Sequence, residues 1–147
     1  MKMALVHDLA EALCGDITPT QKIPKIEKHE IEKRALDEML VVLEGSLASQ
    51  EIMDLWKEYE EEESEIALFV KDVDKFEMIL QAFEYEKRKL NTSINTLISN
   101  IYFLGELKRM DTFFDSTRCK FKHGFIIGLV EALNKRRNAY FESINGQ

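Results

Sequence analysis

The stretch "EIALFVKDVDKFEMILQAFEYEKRK", residues 65–89, decides the fold. Ile66, Phe69, Val70, Val73, Phe76, Leu80 and Phe83 recur at intervals of three and four residues, the period of one helical face. Ser64 stands one residue ahead, where a hydroxyl can accept an N–H of the first turn. The segment predicts the longest and most buried helix of the chain, with those seven side chains turned inward.

Working outward, the same period continues. "QEIMDLWKEYEEE" (50–62) is amphipathic through Ile52, Leu55, Trp56 and Tyr59, with Ser49 as its expected cap. "KIEKHEIEKRALDEMLVVL" (25–43) places Ile31, Ala35, Leu36, Met39 and Leu43 on one face, and "GSLAS" (45–49) ends it. The only two prolines, Pro19 and Pro24, share the loop "DITPTQKIP" behind Gly15. A glycine after an apolar run is a stop signal, so the first helix is expected over about 2–14. Beyond residue 89, "LNTSINTLISNIYFLG" (90–105) has few charges and many β-branched residues, and its period decides nothing. "ELKRMDTFFDST" (106–117) predicts a short helix. "HGFIIGLVEALNKRRNAYFES" (123–143) predicts a last one with Phe125, Leu129, Ala132 and Leu133 inward. The class is all-α, with about six helices and no internal repeat.

The totals narrow the chemistry. A chain of 147 residues with 45% apolar content suits one domain with a real core. A formal charge of −7 and no long basic run make a nucleic-acid duplex a poor partner. Two cysteines, Cys14 and Cys119, make no disulfide framework. No apolar run reaches a membrane span, and His7, Asp8 and Glu11 interrupt any leader-like run. The expected setting is the cytoplasm, with the nucleus as the alternative, and no membrane.

The candidate chemistry sits in "ALVHDLAEALCGDITP", residues 4–19. On a helix His7, Asp8 and Glu11 share one side. Imidazole nitrogen with carboxylate oxygen suits a divalent first-row metal or Mg²⁺, and such groups are costly to bury unless paired or bound. A bare His-Asp dipeptide is more often a surface accident. Asp16, after Gly15, reads first as a loop cap. Asp74, flanked by Lys71 and Lys75, reads first as part of a salt-bridged surface, although it borders the apolar stripe. Cys14 reads as a small buried thiol. The acidic run "KEYEEEESE" (57–65) reads as a solvated face, and His29 and His123 as surface residues. No glycine-rich phosphate loop and no Cys-x-x-Cys pair occurs.

Three stretches together carry a resemblance. "ALVHDLAEALCGDITP" resembles the second metal-binding helix and following loop of the HD-domain phosphohydrolases. "LWKEYEEEESEIALFVKDVDKFEMILQAFEYE" is similar to later helices of their 5′-deoxynucleotidase branch, with "DKFEMILQAFEYE" the most specific part, and "DTFFDST" is similar to the next helix. The resemblance covers most of 1–91 and about 107–142. It implies an all-helical HD bundle that holds a divalent cation (Mn²⁺, Co²⁺, Mg²⁺ or Zn²⁺). His7 and Asp8 would be the metal-binding pair and Asp74 the distant metal ligand. Glu11 and Asp16 would be catalytic, handling the attacking water and the leaving group. It implies a deoxynucleoside 5′-monophosphate as substrate, losing its 5′-phosphate, and leaves a homodimer open.

The sequence departs from the family pattern in two places. The chain starts at what should be the second or third helix, so the helix with the first His ligand and the basic residues that grip phosphate are expected to be absent. An insertion is expected near 91–106 within one HD domain spanning 1–147. Both departures lead us to expect weak metal binding and little turnover from these 147 residues. The alternative is a non-catalytic helical interaction protein on an HD scaffold.

Overall fold

The computed structural model describes residues 1–43, 45–92 and 109–145. The regular elements among those residues are all helical, with no strand among them. The helices are α1 (Lys2–Val6), α2 (Glu11–Cys14), α3 (Lys25–Val41), α4 (Leu47–Glu61), α5 (Glu65–Thr92), α6 (Asp111–Thr117) and α7 (Gly124–Asn145), with a 3₁₀ turn at Pro19–Gln21. The all-α class is as expected, and α1 with α2 counted as one interrupted helix gives six. None of the described helices is long and apolar enough to cross a membrane. The expected insertion, apart from its first two positions, lies outside the described residues.

The chain forms two compact units, residues 1–71 and 72–147, so α5 gives its first two turns to one and the rest to the other. In the first unit Val6, Ala10, Ala35, Leu36 and Trp56 form a core cluster, with Leu9, Leu40, Ile52 and Met53 packed against it. Met3, Tyr59 and Ala67 form a second cluster. The expected inner face of α4 holds: Trp56 and Tyr59 are buried and Ile52 and Leu55 half-buried. Its cap differs. Ser46, not Ser49, is the N-cap and accepts from the Ser49 N–H at 3.3 Å, while Ser49 is buried in the first turn. Ser64 caps α5 as expected, accepting from the Ala67 N–H at 3.0 Å. On α3, Ala35 and Leu36 are buried, but Leu43 falls past the helix end and is exposed.

In the second unit Ile79, Phe83 and Leu133 are buried among Phe76, Phe114, Phe121, Val130 and Tyr140. Phe76, Leu80 and Phe83 on α5 and Leu133 on α7 pack inward as expected, but along the two helices as a whole other expected positions do not. Ile66, Phe69 and Val73 are exposed on α5, and Phe125 and Ala132 on α7. The seam of α5 runs Asp72, Phe76, Ile79, Phe83, Glu86, and that of α7 runs Ile126, Val130, Leu133, Arg137, Tyr140. Each seam keeps the 4-3-4-3 spacing but contains charged residues. Glu86 and Arg137, 3% and 4% exposed, satisfy each other. The Arg137 guanidinium donates from Nε to Glu86 Oε2 at 2.8 Å and from Nη2 to Glu86 Oε1 at 2.6 Å and Asp111 Oδ1 at 2.8 Å. It also lies 3.9 Å over the Phe114 ring. Such a bidentate, ring-backed ion pair is one of the few ways to bury charge without a large penalty.

Candidate functional site

The expected first helix is broken at the residues of interest. After Val6 the bonds shorten from four-residue to three-residue steps: Leu9 N–H to Val6 O, Glu11 to Asp8, Ala12 to Leu9 and Leu13 to Ala10, all at 3.0–3.2 Å. This is 3₁₀ geometry, in which side chains three apart eclipse, so Asp8 and Glu11 are brought over one another. Gly15, at φ 75°, ends the turn with its N–H on Glu11 O at 2.9 Å.

His7 and Asp8 come together. His7 Nε2 lies 3.0 Å from Asp8 Oδ2, and Nδ1 lies 3.0 Å from the Ala4 carbonyl. A carbonyl only accepts, so Nδ1 carries the hydrogen and donates it. In the neutral ring Nε2 is then an acceptor aimed at a second acceptor. Two acceptors at that distance call for a proton on the ring or a cation they share. A backbone carbonyl holding the far ring nitrogen is also how metal-binding imidazoles are oriented. The donor set therefore fits a divalent cation. The ring rests against buried Tyr59, with centroids 5.0 Å apart.

Glu11 is half-buried, and its carboxyl is pushed up to about 7 by burial first, then by the charges of Asp8 and Asp16, with Lys28 acting the other way. It can hold or release a proton near neutrality, as an acid–base group must. Asp16 is exposed on the loop behind Gly15 and acts on Glu11 through its charge. Asp74 is half-buried on α5, in the part that belongs to the second unit. The Cys14 thiol donates to the Ala10 carbonyl at 3.2 Å, and burial pushes it up, so it stays a thiol.

Several charged residues near this region escaped the sequence reading. His29 is not a plain surface residue: its Nδ1 bonds Glu60 Oε2 at 3.1 Å, and its ring stacks on Trp56 at 5.1 Å. Glu60 also accepts from Lys71 Nζ at 2.7 Å. Burial works against its ionisation, but Lys71 and His29 hold the carboxyl below its usual range. The acidic run is thus only partly a solvated face, since Glu58, Glu60 and Glu62 are half-buried. Glu32, 7% exposed, pairs with Lys28 at 3.3 Å, and burial pushes its carboxyl up more than Lys28 brings it down. Only this last pair, four residues apart, had a local signal. His29 and Glu60 are 31 residues apart and had none.

Comparison with known proteins fits this geometry. The chain is 47% identical over 137 residues to 5'-deoxynucleotidase HDDC2 of Dictyostelium discoideum, covering 93% of this chain and 65% of the relative. It is 42% identical over 139 residues to 5'-deoxynucleotidase HDDC2 of Mus musculus, covering 95% and 62%. It is 36% identical over 147 residues to 5'-deoxynucleotidase YBR242W of Saccharomyces cerevisiae, covering 98% and 55%. The chain thus spans 55–65% of the length of these three relatives. The family model described as "HD domain" matches residues 1–108, a span that holds His7, Asp8, Glu11, Asp16 and Asp74, and the chain belongs to the HD-domain family.

Proposed function

We propose that this chain is the metal-holding part of a phosphohydrolase that releases phosphate from deoxynucleoside 5′-monophosphates. The observation that carries the reading is the His7–Asp8 pair, two acceptors 3.0 Å apart with the imidazole tautomer fixed by Ala4. HD domains bind divalent metals, and the relatives are described as 5′-deoxynucleotidases. His7, Asp8 and Asp74 each offer one ligand atom, and we assign all three to the metal. Bound there, a divalent cation would polarise a phosphoryl oxygen and acidify a coordinated water. Glu11 can take or return a proton near pH 7. Asp16, the residue after the Gly15 that ends the tight turn, is the second carboxylate for the attacking water and the leaving 5′-oxygen.

The test is phosphate release from deoxynucleoside and ribonucleoside 5′-monophosphates with Mn²⁺, Co²⁺, Mg²⁺ or Zn²⁺ added singly. The expected result is metal-dependent release that favours the deoxy substrates, is abolished by His7→Ala, Asp8→Ala or Asp74→Ala, and has a lowered kcat in Glu11→Gln. The same assay measures how fast these 147 residues turn over, beside a chain extended at its N-terminus. No release by either chain with any of the four metals would overturn the reading in favour of a helical interaction protein.

A further inference from the structure

His7 stands just past the end of a very short helix. α1 has five residues and no side-chain hydrogen bond at its N-cap, and so short a helix does not hold itself together in water. Its place, and that of His7, comes from packing. Tyr59 of α4 supplies part of it. Tyr59 is buried in one cluster with Met3 and Ala67, so it meets α1 at the residue before Ala4, whose carbonyl accepts from His7 Nδ1. Its ring also lies against the imidazole, with centroids 5.0 Å apart and planes inclined at 59°.

Tyr59 is itself held by a charge. The Lys71 ammonium sits 3.9 Å from the centroid of its ring and donates to its carbonyl at 3.5 Å. Lys71 Nζ also donates to Glu60 Oε1 at 2.7 Å, and Glu60 Oε2 bonds His29, which stacks on the buried Trp56. The side chains of Lys71 and Glu60 are only 13% and 12% exposed. A buried ion pair seldom adds stability over apolar residues of the same volume, so the core alone does not call for this one. What the pair does is fix a cation over one ring, which attracts it through its quadrupole and more strongly where water is excluded. That ring is the one on which His7 rests. His7, Tyr59, Glu60 and Lys71 all lie in the first unit.

We propose that Lys71 is a positioning residue of the metal centre: its ammonium, anchored by Glu60, holds the Tyr59 ring, and that ring holds the His7 imidazole in the orientation with which Nε2 reaches a divalent cation. The proposal rests on the reading of His7 as a metal ligand. The probe is Co²⁺ alone, added to the metal-free chain, with affinity read by calorimetry and ligand geometry by the visible absorption bands, which change with the coordination. Lys71→Met keeps the length of the stem and drops the charge. It is expected to weaken Co²⁺ binding by about 10-fold, the lower end of the range for losing an outer partner of a metal ligand, and to shift the bands. Lys71→Arg, which returns a cation to the ring, is expected to restore both. Lys71→Met/Glu60→Met leaves neither charge of the pair buried alone; it should weaken binding equally, and it carries the test if the single variant does not fold. Leu40→Ala cuts into the core cluster of the same unit; it should lower the Tm but leave affinity and bands as in the wild type. In a Tyr59→Leu background, Lys71→Met should cost nothing further, the non-additivity of two residues that act in series. If the wild type binds Co²⁺ and Lys71→Met binds it within about twofold, below the range for such a partner, with the same bands, the positioning role is overturned and the metal reading stands. A loss that Leu40→Ala reproduces, or that adds in full to Tyr59→Leu, overturns it as well. If the wild type binds no Co²⁺, the metal reading falls and the positioning role falls with it.

Discussion

Glu11 keeps its proton to unusually high pH because it is half-buried in a tight turn with Asp8 eclipsed over it and Asp16 nearby. Its carboxyl moves from 4.5 to about 7 on folding. A raised acid stabilises the fold only while protonated, so the contribution is fully present below pH 4.5 and is lost as pH rises through 7. Thermal melts of wild type and Glu11→Gln in metal-free buffer should therefore coincide near pH 4.5, with the glutamine variant the more stable above about pH 7.5. A Tm difference that stays constant across that range would mean Glu11 titrates as an ordinary surface carboxylate. His7, Asp8 and Glu11 were legible in sequence because they are near neighbours. The helix break that eclipses Asp8 and Glu11 was not, since nothing in "ALVHDLAEAL" interrupts the helical period.

At the scale of elements, the sequence showed that 65–89 and 123–143 are helices and turned Phe76, Leu80, Phe83 and Leu133 inward as they are, but it misplaced the rest of each face. A count of apolar residues places Phe69, Val73 and Phe125 inward. The folded seams instead pass through Asp72, Glu86 and Arg137, which such a count scores as outward. Only the partner across the seam makes a buried charge tolerable, and that partner is 51 residues away. Removing it should be severe. Arg137→Met leaves the Glu86 charge buried with no counter-charge from Arg137 and, among the described residues, only the Met110 N–H on it, at a cost of about 3–5 kcal/mol, and replacing both partners with apolar residues should recover part of the loss. Phe83→Ala, in the same cluster and 2% exposed, should cost about 3–5 kcal/mol, and half-buried Phe76→Ala less. Chemical denaturation of the four variants checks these values. Val73→Ala, at an exposed position, should cost little, and a loss there as large as that of a buried side chain would return the seam to the one read from sequence.

For the whole molecule, metal binding and stability are one equilibrium. A cation that binds only the folded chain raises its stability by about 2.7 kcal/mol at a hundred times Kd. Mn²⁺ should therefore raise the Tm of the wild type, and EDTA should reverse it. His7→Ala and Asp74→Ala should each lose most of the shift, whether or not turnover is seen. A full shift in Asp74→Ala would confine the metal to the first unit. The His7–Asp8 half of this donor set was readable from adjacent residues. The roles of His29, Glu60 and Lys71 were not, because their pairing depends on how α3, α4 and α5 pack.

The sealed Glu86–Arg137 pair has a further consequence, for ionic strength. Mobile ions screen charges that water reaches, over about 8 Å at physiological salt. Lys33–Asp37, with side chains 42% and 50% exposed, is open to that screening. Arg137 and Glu86, with side chains 5% and 2% exposed, are closed to it. Added sodium chloride should erode the peripheral ion pairs while the joint between α5 and α7 persists, so the second unit keeps this buried contact in brine as in dilute buffer.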